Sequence, residues 1–107
     1  MQKQMNLTNI VVVEGYVLSP VNLVFEDEKN THKACFYLNN PCQIGRNSYI
    51  NDFYIVVFGK KAKECNKVLS VGDKCTVTGK ITRWYKGGKN GVTQTGITIF
   101  ASDVSFG

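Results

Sequence analysis

The chain has 107 residues, of which 43% are hydrophobic and 20% charged, and this balance predicts one globular domain spanning residues 1–107 and argues against a second. The net charge is +5, and it is uneven: residues 1–53 hold four Lys/Arg and five acids, whereas residues 54–107 hold nine and three, which favours a polyanionic partner, most often nucleic acid. No apolar run reaches the ~18 to 20 residues of a membrane span, and the start, MQKQMNLTN, lacks a secretory signal, so we expect a cytoplasmic protein without a membrane partner.

The first half of the chain predicts three strands. Ile10 to Leu18 is apolar on both alternating faces, as in a strand covered on both sides, and the second cover could be another subunit. Lys33 to Asn39 alternates as a half-buried strand, and Phe53 to Phe58 is a third strand. Between them, Asn39 to Ser48 is rich in turn formers and predicts an extended, mobile hairpin loop that carries Arg46.

The second half predicts a helix and two strands. Lys60 to Leu69 changes to a helical period, with lysines on a solvated face and an apolar face of Ala62, Cys65, Val68 and Leu69. Lys74 to Lys86 and Gly91 to Ala101 read as the fourth and fifth strands. The weakly patterned stretch from Val21 to Phe25 is left without a strand. This order predicts an all-β, five-stranded oligonucleotide-binding barrel with one short helix between strands three and four.

The cysteines do not indicate a metal site. No CxxC spacing occurs, and His32, the only histidine, offers at most a loose H-x-x-C with Cys35. Cys65 and Cys75 occupy apolar positions, which suits free thiols that pack as small hydrophobes. We therefore expect neither a metal nor a cofactor.

Catalytic signatures are also missing from the sequence. No nucleophile has an obvious basic partner, GxxxxGK[ST] does not occur, and the glycine-rich run Gly87 to Gly91 lies between two strands, where a hairpin turn is the plainer interpretation. The sequence predicts a binding protein and not an enzyme.

The fourth strand carries the strongest binding signal. If Cys75 and Val77 point into the core, strand alternation directs Trp84 outward, in line with Lys80 and Lys86. An outward Trp between cations suits single-stranded nucleic acid, whose bases stack on aromatic rings while cations follow the phosphates. Packing of Trp84 against a loop or a neighbouring subunit is the alternative.

Further candidates lie on other strands. Tyr54 and Phe58 share one strand face, and Tyr37 lies on the polar side of its strand; each could instead belong to the core or to an interface. The predicted stacking groups are Trp84, Phe58, Tyr54 and Tyr37. The predicted phosphate contacts are Lys80, Arg83, Lys86, Lys89, Lys33 and Arg46.

From about Asn9 to Phe106 the sequence resembles the bacterial-type single-stranded DNA-binding protein family. The stretches that carry the resemblance are NIVVVEGYVLSP, NDFYIVVFGKKAKE, VLSVGDKCTVTGKITRWY and ASDVSF. The resemblance implies an oligonucleotide-binding fold, a homotetramer more readily than a dimer, and pairing of subunits through first strands. It also implies wrapping of single-stranded DNA without base specificity during replication, recombination, repair or DNA transfer, in the cytoplasm at the nucleoid.

Family stacking positions transfer unevenly. Phe58 matches the aromatic that precedes the helix, whereas an earlier family aromatic falls ambiguously near Phe53 or Tyr54. On the fourth strand the family aromatic falls at Lys86, so Trp84 stands two residues early on the same face.

The family's flexible linker and acidic tip do not follow Gly107, so we expect either a trimmed core or a tailless form, such as a primosomal relative or a plasmid or phage version. Two other functions stay open: a primosome-type adaptor that binds replication proteins, and a structural oligomeric interaction module. RNA is also a possible ligand, since stacking and phosphate tracking do not read the 2′-hydroxyl.

Overall fold

The fold was analysed in a computed structural model, which describes residues 7–88, 91 and 93–107. The elements in chain order are β1 (Val11–Val17), β2 (Asn22–Glu26), β3 (Thr31–Ile44), β4 (Asn47–Phe58), α1 (Lys60–Val68), β5 (Lys74–Gly87) and β6 (Thr93–Phe106). The prediction of a mostly β fold with one helix is confirmed for these residues. Their helix is too short and polar to cross a membrane.

All six strands belong to one sheet in the order β1-β5-β6-β4-β3-β2. Every pairing is antiparallel except that of β4 with β6, which is parallel. β1 pairs with β5 along most of its length and also with β3, at Tyr16 and Val17. The sheet therefore curves so far that β1, the first strand in this order, also pairs with β3, the fifth.

The core lies on the concave side of this sheet. Alternate residues of the strands point inward and are almost completely buried, including Phe36, Leu38, Ile55, Val77 and Ile99. α1 adds Ala62 and Cys65 to the core, and Leu69 directly after it is also buried. Val68, predicted on the buried face, is instead exposed. At 3.6 residues per turn it lies about 120° around the helix from Ala62, at the margin of the buried face.

The four cysteines carry free thiols, as the sequence predicts. Cys65 and Cys75 are buried in the apolar core. Burial raises the pKa of each of these thiols to about 11, since an ionised sulfur would lose its hydration. Both thiols are thus neutral core groups at physiological pH.

The prediction of five strands is wrong, because Asn22 to Glu26 forms an additional strand. β2 pairs with β3 from Asn22 opposite Cys35 to Glu26 opposite Thr31. It is an edge strand of five residues, and only Leu23 packs against the core, so its sequence pattern is weak. Counted along the chain, the helix therefore lies between the fourth and fifth strands and not between the third and fourth.

The segment predicted as a hairpin loop, Asn39 to Ser48, is mostly regular strand. β3 and β4 remain paired as far as Ile44 opposite Asn47, and only Gly45 and Arg46 form the turn. The turn formers in this segment are compatible with a long ribbon because their polar side chains face solvent on an exposed hairpin. The predicted hairpin is therefore present, but its loop is two residues long and not ten.

A bulge interrupts the β5–β6 pair. The register shifts between Thr78 and Gly79, and Ser102 is the extra residue; its Oγ donates a hydrogen bond of 3.2 Å to the Thr78 carbonyl. The bulge changes which residues of β6 point inward, from odd-numbered residues such as Ile99 to even-numbered ones such as Val104. The strand continues past it to Phe106, whereas the predicted strand ends at Ala101.

Candidate nucleic-acid interface

Four strands present their convex side as one continuous surface, which we call the outer face. Strand register places Tyr37 opposite Tyr54, Tyr54 opposite Thr98, and Trp84 opposite Gly96. A neighbouring row runs from Val56 to Phe100. The outer face comprises Lys33, Cys35, Tyr37, Asp52, Tyr54, Val56, Phe58, Lys80, Trp84, Lys86, Gly96, Thr98 and Phe100.

Trp84 lies on the outer face and is 42% exposed. Its indole covers Gly96 so closely that a Cβ at position 96 would overlap the ring atom Cζ2. Glycine is therefore required at this position if the ring is to rest on the β6 backbone. The other ring surface is free to meet a ligand.

Tyr37 and Tyr54 form an aromatic pair beside Trp84. Their ring centroids are 5.0 Å apart, and the rings are tilted by 52°. Hydrogen bonding with the Cys35 thiol, together with partial burial, raises the pKa of Tyr54 to about 12. The hydroxyl therefore stays neutral at physiological pH and presents no charge that would repel phosphate.

Phe58 and Phe100 form a second pair farther along the outer face. Their rings are parallel within 3°, with centroids 6.4 Å apart, and Phe100 is exposed. The Lys29 ammonium lies 4.6 Å from the Phe58 ring centroid. Sequence reasoning did not select Phe100 or Lys29, although the alternation of Phe100 with Gly96 already placed it on this face.

Two cavities lie where the β3–β4 and β5–β6 hairpins diverge. Tyr37, Tyr54 and Trp84, which we call the aromatic row, line only the first of them. The first, about 280 Å³, has walls that include Tyr37, Asp52, Tyr54, Trp84, Gly96 and Thr98. The second, about 370 Å³, has walls that include Ile50, Asp52, Phe53, Arg83 and Thr95. Asp52 and Gly96 contribute to both.

Strand register places Phe53 and Tyr54 on opposite sides of β4. Tyr54 belongs to the outer face, whereas Phe53 packs against the core side. Of the two, only Tyr54 lies on the face that carries Tyr37 and Trp84.

The predicted cations divide into two groups. Lys80 and Lys86 are exposed on the outer face near the aromatic rings. Arg83 alternates to the other side of β5 and borders the second cavity. Of these three cations, only Lys80 and Lys86 lie on the side of β5 that carries Trp84.

The remaining predicted cations are less well placed for that row. The Lys33 ammonium is 3.2 Å from Glu26 Oε1, so part of its charge is already neutralised. Arg46 lies at the turn of the β3–β4 hairpin, nine residues beyond Tyr37, or roughly 30 Å along the strand. Lys89 lies outside the described residues.

The chemistry of the outer face is that of stacking and ion pairing. Aromatic rings and ammonium groups lie on this face, and the Arg83 guanidinium lines the second cavity from the other side of β5. Among residues 7–88, 91 and 93–107, no three His, Cys, Asp or Glu side chains could together hold a metal ion.

Comparison with known proteins identifies the fold. No protein-family model and no curated protein sequence matches the chain. Among solved structures, the Plasmodium falciparum SSB in complex with single-stranded DNA superposes with a TM-score of 0.81 at 18% identity, covering 97% of this chain and 98% of that one. The small single-stranded DNA-binding protein from Streptomyces coelicolor gives a TM-score of 0.74 at 14% identity, covering 94% and 96%.

The fold is therefore that of single-stranded DNA-binding proteins, and the similarity extends over nearly the whole of each chain. This agrees with the resemblance seen in the sequence.

Proposed function

We propose that this chain binds single-stranded DNA through the outer face and requires no particular sequence. The observation that carries the proposal is the joining of Tyr37, Tyr54 and Trp84 from three strands into one aromatic row, beside Lys80 and Lys86. The curved six-stranded sheet would then be an oligonucleotide-binding barrel, in agreement with the fold of the two similar proteins.

Binding would divide between rings and charges. Each base that leaves solvent to stack on an aromatic ring contributes about 1 to 3 kcal/mol, and the ring does not distinguish bases strongly. Lys80, Arg83 and Lys86 would neutralise phosphates and release counterions. The neutral Tyr54 hydroxyl can donate a hydrogen bond without repelling the backbone.

Fluorescence titration with oligo(dT) tests this proposal. Trp84 is the chain's only tryptophan, so its emission reports the outer face directly. We expect quenching on binding. If three cations contact phosphates, the logarithm of the affinity should fall against the logarithm of salt with a slope of about −2, or about 20-fold from 50 to 200 mM salt.

Unchanged emission together with undetectable binding at low salt would reject the proposal. Emission that is already blue-shifted without DNA, and does not move when DNA is added, would favour the structural interaction module. Repeating the titration with oligo(U) measures the preference between DNA and RNA.

Homo-oligomerisation through β1 is the second part of the proposal. The side of β1 that faces solvent exposes Ile10, Val12, Tyr16 and Leu18, with one acid, Glu14, paired with Lys74 between them. On the edge of β1 that faces away from β5, only Tyr16 and Val17 are paired with a strand among the described residues, so the edge from Val11 to Gly15 is open. Pairing of first strands between subunits would cover this apolar surface, and we propose a homotetramer, with a dimer as the alternative.

Replacing Val12 with glutamate should lower the solution mass, because the side chain is 63% exposed in the chain and would place a charge inside the interface. Sedimentation equilibrium measures the mass. Val71→Glu is the control, since Val71 is a similarly exposed residue in the turn before β5. A wild-type monomer, or a Val12→Glu oligomer of unchanged mass, would contradict the interface.

We propose that the protein acts on single strands during replication, recombination, repair or DNA transfer, in the cytoplasm at the nucleoid. The exposed apolar side of β1 also supports the second candidate, an oligomeric adaptor of the primosome type. A pull-down against replication helicases separates the two: the adaptor should retain a helicase without DNA, and the binding protein should not.

A further inference from the structure

One acid lies among the aromatic rings of the outer face. Asp52 is exposed, shares its strand face with Tyr54, and contributes to the walls of both cavities. Asn39, directly opposite on β3, donates a hydrogen bond of 3.0 Å from Nδ2 to Asp52 Oδ1. The carboxylate is thereby held at the wall of both cavities, and within the described part of the chain Oδ2 has no donor, so it can accept from a ligand.

A carboxylate here should weaken the binding of a phosphate chain, because like charges repel. It makes a favourable contribution only if it meets hydrogen-bond donors. Within a DNA strand the backbone carries only acceptors, whereas several bases carry N–H donors on the edges that pairing would otherwise use. The position of Asp52 therefore points to contact with a base and not with the backbone.

We propose that Asp52 is a specificity-determining residue that gives the first cavity a preference for guanine. The inference rests on the proposed binding of single strands. A base lying between the Tyr37–Tyr54 pair and Trp84 would turn its edge toward Asp52. At about 280 Å³ the cavity is near the small end of ligand pockets, about 300 to 1,000 Å³, which suits one base.

Guanine matches a carboxylate better than the other bases do. Its N1–H and N2–H groups are adjacent and parallel, so they can donate to both carboxylate oxygens. Cytosine and adenine each place an amino group beside an acceptor, and thymine has one N–H between two carbonyls. An ionised carboxylate accepts about four hydrogen bonds, so the Asn39 contact to Oδ1 leaves capacity on both oxygens.

Competition binding tests this preference, and the same experiment measures the affinity for oligo(dT). A labelled oligo(dT) is displaced by unlabelled oligomers of equal length that carry one central guanine, one central inosine or thymine alone. We expect the guanine oligomer to compete at least about fivefold better than oligo(dT). Inosine, which lacks the N2 amino group, should fall between them.

Asp52→Asn is the decisive variant, because the amide can still accept from Asn39 but now turns an N–H donor toward the cavity. The guanine advantage should disappear, and oligo(dT) should bind as well as before or better. Asp27→Asn is the matched control: it removes the same charge at the β2–β3 turn, away from both cavities, and should leave the advantage intact.

Each outcome of the competition separates the two claims. Equal competition by all three oligomers, with normal oligo(dT) affinity, rejects the guanine preference and leaves the proposed function standing. A guanine advantage that survives in Asp52→Asn rejects the role of Asp52. Failure of every oligomer to bind rejects the proposed function itself, and the preference with it.

Discussion

Replacement of Trp84 by alanine should weaken oligo(dT) binding about 5- to 150-fold, which corresponds to about 1 to 3 kcal/mol for one stacked base. The ring is 42% exposed and forms a wall of the first cavity. One side of the ring rests on Gly96, so the other side is the surface on which a base can stack. Because the variant has no tryptophan, fluorescence anisotropy of a labelled oligonucleotide is the appropriate measurement.

Tyr85→Ala provides the matched control. Tyr85 is 68% exposed and adjacent in the sequence, but strand alternation directs it to the opposite side of β5. Unlike Arg83 on that side, Tyr85 lines neither cavity. Its loss should change affinity by less than about threefold, a smaller effect than the loss of a stacked base. Equal losses in the two variants would mean that general exposure, and not the outer face, governs binding. Trp84→Phe should recover part of the affinity, since a smaller ring still stacks.

Replacement of Gly79 by alanine should lower the free energy of unfolding by about 3 kcal/mol or more. A Cβ at this position would lie 2.8 Å from the Ala101 Cα and would overlap the Phe100 carbonyl oxygen. Both neighbours are backbone atoms of β6, so the strands can accommodate the methyl only by moving apart at the bulge. Urea denaturation monitored by circular dichroism measures the loss.

Gly87→Ala tests whether any glycine in β5 would have the same effect. Gly87 is in the same strand, and a Cβ there would meet no atom of residues 7–88, 91 and 93–107 within 4 Å. Its stability should stay within about 0.5 kcal/mol of the wild type. If Gly79→Ala were equally mild, the close approach of β5 and β6 at the bulge would not be a constraint on the fold.

Period-two patterns were sufficient to predict much of the outer face. The apolar residues Cys75 and Val77 determine which side of β5 is buried, and Trp84 then follows by counting. The same counting directs Tyr54 to the side of β4 that faces away from the buried Ile55. Local alternation is readable because a strand with one buried face must repeat every two residues.

Features that depend on partner strands were not readable in the same way. β2 has one neighbour and a weak apolar pattern, so nothing in its own residues required a strand. The bulge at Ser102 ended the predicted alternation early. Asp52 was visible as an acid, but its place in the cavity walls depends on β3 and β6, which the pattern of β4 does not describe.

The parallel pairing of β4 with β6 also has a kinetic consequence. It joins strands separated along the chain by α1 and the whole of β5, so much of the entropy of loop closure is lost before these contacts form. Folds dominated by such distant pairings typically fold in milliseconds to seconds. Tyr54 and Trp84 share a surface only when β6 lies between their strands, so detachment of this strand would separate the two rings.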